Sequence, residues 1–332
     1  MSSRTASEGD LAVGEVRTGF LSHSRALSLE AALILLELVP GEQVRSASRP
    51  RAYAVSPEPL TGIDCVLPSL NGRRTRAVGT VASRVTLTGG RILQACSYAE
   101  IVRAGSGNRQ AWSHYLSHPG VVETLGKLNA EDAAAGFAES ERGSRGIEVG
   151  IIAEQQMNGV QNSPMLDGVL PVRARRGSWR WAFQRPEKGG GELFRFKILG
   201  DGTRLLRLAL PDHGLDDVID LVEDLALHDW LLSTVEEILE RAQLGSGPPA
   251  KMLPLVRPVI DHVLHHWMPA ARVKPELMPL WATLDRAQGF TRQWDLSVHR
   301  VRDQLALNTV TMLSAASDGY RADADEPALR RA

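Results

Sequence analysis

The spacing of apolar residues changes along this chain of 332 residues, and that change determines the fold class. Up to about residue 210, apolar and polar residues alternate in short segments separated by turn residues, a pattern typical of half-buried strands. From about residue 211, apolar residues recur every three or four positions, as on one face of a helix. We therefore predict an α+β protein: a mixed N-terminal α/β-type domain with antiparallel strands, a small β-meander and a C-terminal helical bundle.

Pattern and composition together predict the domain organisation. Segment 129–146 is rich in Ala, Glu and Gly and poor in large apolar residues, which favours a flexible linker. Three alternating segments follow, Ser178–Gln184, Leu193–Leu199 and Arg204–Leu210, and a three-stranded meander is the simplest arrangement for them. The predicted parts are a disordered lead-in over 1–10, a mixed α+β domain over 11–128, the linker over 129–146, the β-meander region over 147–210, a helical domain over 211–317 and a disordered tail over 318–332.

Composition excludes several classes of protein. The chain is 43% apolar and 23% charged with a formal net charge of −1, which excludes a disordered chain and a strongly basic nucleic-acid packager. No run of about 18 apolar residues is present, so we expect no membrane association. The N-terminus lacks the apolar region of a secretory signal. Two cysteines, Cys65 and Cys96, are too few for a disulfide framework, so we expect a cytoplasmic protein with both thiols reduced.

Charge is unevenly distributed, and the common catalytic signatures are missing. Residues 1–210 hold 26 Lys and Arg against 20 Asp and Glu, a net of +6, whereas residues 211–317 hold 9 against 15, a net of −6. These two parts can attract each other or bind different partners. The sequence has no phosphate-binding loop, three-glycine dinucleotide fingerprint, G-x-S-x-G, C-x-x-C or H-E-x-x-H. We therefore expect no cofactor and disfavour the common NTPases, dehydrogenases and hydrolases.

A cluster of histidines in the helical part suggests an alternative function. His262 and His266 are four residues apart, so a continuous helix would place them on one face, where two imidazoles can hold a divalent metal. His228 and Asp229 would supply further ligands if their helix packed nearby. This arrangement predicts a metal-dependent hydrolase. The competing interpretation is structural, because His228 lies on an apolar stripe and no carboxylate stands between the two later histidines.

A second cluster combines aromatic residues, serines and histidines. The segment Trp112–Tyr115 is followed by Ser117 and His118, and a Ser–His pair can act as nucleophile and base when a carboxylate orients the histidine. Asp64 or Glu123 would be that carboxylate. The competing interpretation, which we favour, is a packed aromatic turn.

Arginines interleaved with tryptophans suggest a third function. Such residues bind single-stranded nucleic acid by stacking and phosphate contacts. In the second β region they are Arg173, Arg175, Arg176, Trp179, Arg180 and Trp181, and further arginines in the first are Arg73, Arg74, Arg76, Arg84 and Arg91. A solvated strand face explains most of them equally well, so nucleic acid is a less favoured partner.

One further pattern is carried by short stretches spread over most of the chain: Gly14–Thr18, Ala54–Glu58, Gly62–Cys65, Val78–Ala82, Trp112–Tyr115, Pro119–Glu123, Glu223–Leu232, Gly289–Trp294 and Arg302–Leu307. Together they resemble an uncharacterised family of actinobacterial proteins of similar length from Streptomyces and its relatives. In that family the genes lie beside those of other uncharacterised proteins, among them a variant P-loop protein. The resemblance implies an actinobacterial source and a protein partner, with the P-loop protein as one candidate, and it implies no catalytic residue.

The favoured hypothesis is a non-catalytic interaction or assembly component of a multi-protein system. Its docking surface would lie on the helices over residues 223–240 and 291–314, with Trp230, Trp267 and Trp294 as anchors, because tryptophan is enriched at interface hot spots. The metal-dependent hydrolase and the nucleic-acid-binding protein remain the alternatives.

Overall fold

The structure is a computed structural model that describes residues 11–68, 74–139, 146–186, 193–211, 213–243 and 249–329. Its strands are β1 (Leu11–Phe20), β2 (Arg45–Ala47), β3 (Tyr53–Val55), β4 (Leu60–Pro68), β5 (Arg74–Thr88), β6 (Ile92–Arg103), β7 (Val121–Leu125), β8 (Gly177–Gln184), β9 (Leu193–Ile198) and β10 (Arg204–Ala209). Its α-helices are α1 (Leu29–Leu35), α2 (Trp112–Leu116), α3 (Ala130–Glu139), α4 (Val149–Gln161), α5 (Leu215–Arg241), α6 (Pro249–His262), α7 (Met278–Gln288) and α8 (Phe290–Leu329), and 3₁₀ helices cover Leu264–His266 and Pro275–Leu277.

All ten strands belong to one mixed sheet, with the order β2-β3-β5-β7-β6-β1-β8-β10-β9. β4 pairs with β5 beside this path, and β5 also pairs with β6. The β6–β7 and β8–β10 pairs are parallel, and the other pairs are antiparallel. With this sheet and the helices of the C-terminal part, the predicted α+β class is confirmed.

The predicted three-stranded meander is wrong in its pairing. Its strands form as β8, β9 and β10, but they extend the N-terminal sheet rather than forming a sheet of their own. β8 lies between β1 and β10, and β9 is the edge strand. The physical reason lies in the side chains. β8 carries Trp179 and Trp181, which are buried, whereas β9 alternates with the exposed Arg195 and Lys197, and charged residues protect an open edge.

A helix occupies most of the predicted linker. α3 (Ala130–Glu139) packs on one face of the sheet, and its Ala133, Ala134 and Phe137 join a core cluster with Val81 of β5. Alanine is a strong helix former and lets a helix lie close to a sheet, so the scarcity of large apolar residues did not mean a loop. Residues 140–145 of the predicted linker lie outside the described residues. α4 packs on the same face beside α3 through Ala153 and Met157.

The first half of α5 lies on the opposite face of the sheet. Successive side chains of a strand point to opposite faces, so Arg84 and Gln94 point away from the core under α4. Both bond to Glu223 of α5, the first through its carboxylate and the second through its backbone carbonyl. Further along α5, Trp230 packs edge-on against Phe20 of β1 with ring centroids 4.9 Å apart.

The chain divides into two compact units at boundaries that differ from the predicted ones. One unit comprises residues 1–230 and 268–281, and the other comprises 231–267 and 282–332. The β-rich parts thus form a single unit, and α5 begins in one unit and ends in the other. In the part of the chain that the structure describes, no helix combines the length and apolarity needed to cross a membrane.

The predicted disordered tail is helical over most of its length. α8 extends from Phe290 to Leu329. Adding residues to an existing helix costs far less than starting one, so α8 continues through this polar segment despite Gly319 and Pro327, which disfavour a helix interior. The predicted lead-in, residues 1–10, and the last three residues lie outside the described part.

Candidate functional site

The long helix α8 carries the candidate site, and a defined turn sets where it begins. Gly289 adopts a left-handed conformation with φ of +73°. The backbone N–H of Thr291 then donates to Asp285 Oδ1 at 2.8 Å, which satisfies one of the free donors at the helix start. A side chain at position 289 would be strained at this φ, so glycine is required at the junction between α7 and α8.

One face of α8 packs within its own unit. Phe290, Trp294 and Val301 recur at helical spacing and are buried. The Trp294 indole stacks on Trp267 with ring centroids 4.2 Å apart and an interplanar angle of 8°. One heptad after Val301, the buried Asn308 donates from Nδ2 to Met252 Sδ of α6 at 3.8 Å. These residues explain why the periodic apolar stripe of the sequence forms a helix here.

The opposite face of α8 carries a second apolar stripe that faces solvent. Leu307, Val310 and Leu313 are spaced three residues apart and are 62%, 62% and 65% exposed. At about 100° per residue they lie roughly opposite the buried stripe. Residues 304–317 contain no charged side chain. Exposed apolar side chains that are grouped on one surface often mark an interaction site, so we treat this part of α8 as a candidate docking surface. We call Leu307, Val310 and Leu313 the outward stripe.

The predicted tryptophan anchors are mostly inside the protein. Trp230 is 3% exposed, and its Nε1–H donates to the backbone carbonyl of Arg175 at 2.8 Å. Trp294 is 5% exposed beneath Trp267, which is itself partly buried. Rings held in this way offer little surface to a partner. Sequence reasoning named the same helix but not the outward stripe, although the uncharged run over 304–317 was a visible signal.

His228 and Asp229, proposed as metal ligands, are held by protein groups. His228 Nδ1 donates to the Asp224 carbonyl at 2.7 Å, and Nε2 accepts from the Met268 N–H at 3.3 Å. Asp229 accepts from Trp179 Nε1 at 3.0 Å and pairs with Arg204 at 3.1 Å. Burial raises the pKa of Asp229, although Arg204 and Trp179 both favour its ionised form. These contacts fit the structural interpretation of the pair.

His262 and His266 do not share a helical face. α6 ends at His262, and His266 lies in the following 3₁₀ helix, so the four-residue spacing does not align their rings. His266 is buried with its ring 4.1 Å from that of His265, measured between centroids. The prediction assumed one continuous helix, which Val263 interrupts with φ of −120°. Across the described ranges, no group of three or more His, Cys, Asp or Glu side chains is arranged to hold a metal ion.

An ion-pair network that sequence reasoning missed lies between β5 and α5. Arg84 donates from Nε to Glu223 at 2.7 Å and from Nη2 to Asp220 at 2.5 Å. Arg272 reaches the second oxygen of Glu223 at 2.8 Å. Burial opposes ionisation of Glu223, but the two arginines outweigh it and lower its pKa. An arginine within a long apolar strand and acidic residues three apart on a helix were the sequence signals for this network.

Acidic side chains of α5 near Asp220 and Glu223 also hold the chain segment 268–281 in place. Asp224 Oδ2 accepts from the Ala270 N–H at 2.8 Å and from Trp281 Nε1 at 2.9 Å. Lys274 Nζ pairs with Asp217 Oδ1 at 2.6 Å. The acidic residues at the start of α5 therefore bind a segment of their own chain, which accounts for part of the charge asymmetry in the sequence.

Three of the residues proposed for nucleic-acid binding, Trp179, Arg180 and Trp181, belong to the core. Trp179 and Trp181 are 2% and 0% exposed, so neither ring can stack on a base in this conformation. Arg180 is also buried, and its Nε lies 3.4 Å from Oε2 of the buried Glu15. A β-carbon at Gly150 would lie 2.4 Å from that carboxylate oxygen, so only glycine lets α4 approach this closely.

The remaining arginines of that proposal have diverse environments. Arg176 pairs with Glu154 and Asn158, Arg76 pairs with Asp64, and Arg91 donates to the Ser24 carbonyl. Arg173 and Arg175 lie on the segment before β8, Arg84 belongs to the buried network, and Arg74 is exposed. Arg73 lies outside the described residues.

The serine and histidine residues near α2 do not form a triad. Ser117 Oγ lies 3.1 Å from His118 Nδ1 but donates to the His114 carbonyl at 2.7 Å. Glu123 contacts the other histidine, with 2.6 Å between its Oε1 and His114 Nε2. The carboxylate therefore orients a ring that does not contact the serine. This arrangement matches the packed aromatic turn.

A cavity of about 650 Å³ lies between β4 and the start of α4. Ile63, Ile147 and Ile151 contribute apolar lining. Cys65 also lines it, and burial together with the charge of Asp64 raises the pKa of this thiol to about 11. A thiol with so high a pKa is protonated at neutral pH and is a poor nucleophile. Among the described residues that line this cavity there is no serine, histidine or lysine to serve instead, so we assign no chemistry to it.

Comparison of the chain with protein-family models, with curated proteins and with solved structures gives no match.

Proposed function

We propose that this protein is a non-catalytic interaction component that docks a helix of a partner protein on the outward stripe of α8. The observation that carries the proposal is the exposure of Leu307, Val310 and Leu313 within an uncharged helical segment. Leu307 to Leu313 extend over about 9 Å of the helix, and an apolar surface on a helix is the kind of surface that another helix packs against. The partner should therefore present an amphipathic helix.

The apolar stripe is large enough to matter for affinity. Full burial of a leucine or valine side chain contributes about 1.5–3 kcal/mol. Since each of the three is roughly six-tenths exposed, docking would recover about 3–6 kcal/mol in total. Every 1.4 kcal/mol is tenfold in binding constant, so the stripe is worth a factor of roughly 10² to 10⁴.

The buried polar groups support a structural role for the rest of the molecule. Arg84, Glu223 and Asp224 bind strands, helix and the 268–281 segment to one another. The resemblance to a clustered actinobacterial family adds a setting: a multi-protein system in the cytoplasm, in which a P-loop protein is one candidate partner.

The test is affinity capture from an actinobacterial lysate with three forms of the tagged chain. Besides the wild type, one form carries Leu307→Glu with Leu313→Glu. The matched control carries Ile34→Glu with Ile151→Glu, two helical isoleucines that are 59% and 50% exposed elsewhere. We expect a stoichiometric partner with the wild type and the control and its loss with the stripe variant. Equal recovery with all three forms, or no partner with the wild type, would refute the proposal.

A further inference from the structure

One side of β4 has no strand beside it in the described part of the chain. β4 pairs with β5 along Leu60–Pro68, and β5 is its only partner among the described strands. β3 and β4 follow one another along the same side of β5, and β2 already pairs with the outer side of β3. A strand added to the outer side of β4 would therefore continue the row that β2 begins. We call the outer side of β4 the open edge.

The register shows which backbone groups of β4 lie on the open edge. The N–H of Ser83 donates to the carbonyl of Pro59 at 3.1 Å, in the same register as the β4–β5 pairs. Bonded and non-bonded pairs alternate along an antiparallel ladder, so the odd-numbered residues of β4 bond to β5. The residues whose N–H and C=O groups point away from β5 are Leu60, Gly62, Asp64 and Val66. Across the described ranges these outward groups bond to no other residue, which leaves a template for another extended chain.

The cavity of about 650 Å³ adjoins the open edge. Thr61, Ile63 and Cys65 of β4 form one wall, and Ile151 and Ile152 of α4 contribute to the other. Successive side chains of an added strand point to opposite faces of the sheet, so every second side chain would enter this cavity. Because the isoleucines make the lining largely apolar, those side chains should be apolar.

The opposite face of the open edge carries a surplus of positive charge. Asp64 pairs with Arg76 at 2.7 Å and with Arg109 at 3.4 Å. Arg74 is exposed and lies two residues before Arg76 on β5, so its side chain is on the same face. One carboxylate thus stands against three arginines, and this face attracts an acidic side chain. Glu148 lines the cavity on the α4 side, where an added strand presents its apolar side chains.

We propose that an extended segment of a partner protein, with alternating apolar and acidic residues, binds along the open edge as an added strand. Its backbone bonds to the outward groups of β4, its apolar side chains fill the cavity, and its acidic side chains lie beside the arginines. In this mode of binding, backbone hydrogen bonds supply affinity and alternate side chains supply specificity. The site is separate from the outward stripe of α8 and does not depend on the proposed function.

Amide hydrogen exchange of the full chain, followed by NMR spectroscopy, tests the site residue by residue. In the free protein the amides of Thr61, Ile63 and Cys65 should exchange slowly, because they bond to β5, and those of Gly62 and Asp64 should exchange fast. The probe is a nine-residue peptide in which valine and glutamate alternate, which matches the length of β4. At about ten times its dissociation constant, the peptide should slow exchange at Gly62 and Asp64 about tenfold.

Modified peptides test how the probe binds, with fluorescence anisotropy as the assay. N-methylation of the glutamate amides and N-methylation of the valine amides block opposite edges of the peptide. Only one edge bonds to β4, so one of these two peptides should bind at least about tenfold more weakly and the other should bind like the parent. Replacing every glutamate by lysine should also weaken binding at least about tenfold, and this difference should shrink as salt is added.

Variants of the protein locate the site. Ile151→Glu places a charge in the cavity wall and should raise the dissociation constant of the probe at least about tenfold. Ile34→Glu is the matched control, because it changes an exposed isoleucine of another helix, and it should bind like the wild type. The Leu307→Glu/Leu313→Glu variant should also bind like the wild type. Failure of this inference and failure of the proposed function are therefore distinguishable.

Several results would overturn the inference. They are absence of binding by the valine–glutamate peptide, equal binding by both N-methylated peptides, and equal binding to the wild type and Ile151→Glu. Slow exchange at Gly62 and Asp64 in the free protein would mean that another part of the chain covers the open edge. Exchange there that slows as the protein is concentrated would mean that a second copy covers it. Either observation would also overturn the inference.

Discussion

Glu223→Gln should destabilise the protein more than any exposed charge substitution, because Glu223 is the buried centre of an ion-pair network. Its carboxylate contacts Arg84 at 2.7 Å, Arg272 at 2.8 Å and the Thr86 hydroxyl at 3.3 Å, with no measurable exposure. Glutamine preserves the volume but removes the charge. Arg84 would keep only Asp220, whose side chain is 29% exposed.

Removing one partner of a buried pair costs about 3–5 kcal/mol, and the retained volume places this variant near about 3 kcal/mol. For a unit of this size, that corresponds to a fall in melting temperature of roughly 6–12 °C. The assay is thermal and urea unfolding followed by circular dichroism. Asp64→Asn is the control, because it removes an ion pair of similar geometry with Arg76 at the surface and should shift the midpoint by no more than about 2 °C.

The pH dependence supplies a second check on the same variant. The pKa of Glu223 is lowered in the folded protein below its ordinary value of 4.5. Its stabilising contribution is therefore complete above that value and is lost as the pH falls through the folded pKa. The difference between wild type and Glu223→Gln should be full at pH 7 and should shrink on acidification below 4.5. Similar losses for Glu223→Gln and Asp64→Asn, or a difference that grows on acidification, would refute the reasoning.

Three further outcomes follow from the packing. Trp294→Ala should lower the free energy of unfolding by about 3–5 kcal/mol, because it removes a buried ring that is stacked on Trp267. Chemical denaturation measures this change, and a loss below about 1 kcal/mol would contradict the stacking. The free energy of unfolding of the Leu307→Glu/Leu313→Glu variant should stay within about 0.5 kcal/mol of that of the dilute wild type, because both side chains are exposed. A large loss would mean that the stripe is part of the core. Cys65 should react slowly with a disulfide reagent at pH 8 and faster towards its pKa of about 11, whereas rapid reaction at pH 8 would contradict the burial of this thiol.

Periodicity predicted the strands and helices well where a segment had one wet and one buried face. The stripe from Phe290 to Val301 lies on the buried face of α8, and β8 and β10 fall within a residue of the predicted segments. Pairing was harder to predict. That β8 lies beside β1 depends on pairs of residues from Thr18–Gly177 to Leu11–Gln184, which are 159 to 173 positions apart in the chain, and no local pattern encodes them.

The exposed residues of the candidate site differ from the residues that the sequence analysis named. Tryptophan was taken as the sign of an interface, but a large ring is equally suited to filling a core, and Trp230 and Trp294 do so. The sequence signal for the exposed stripe was the absence of charge over residues 304–317, where Leu307, Val310 and Leu313 recur at every third position. The histidine cluster misled because His262 and His266 were assumed to share one helix.

The central claim is that the outward stripe faces away from its own fold and is covered by protein in the cell. Maleimide labelling of Val310→Cys, in the dilute purified chain and in intact cells of the native host, tests this directly, with Ile34→Cys as the exposed reference. The account predicts that both cysteines react rapidly in the purified chain and that Val310→Cys alone is protected in cells. Slow labelling of Val310→Cys in the purified chain, or equal labelling of both cysteines in cells, would contradict it.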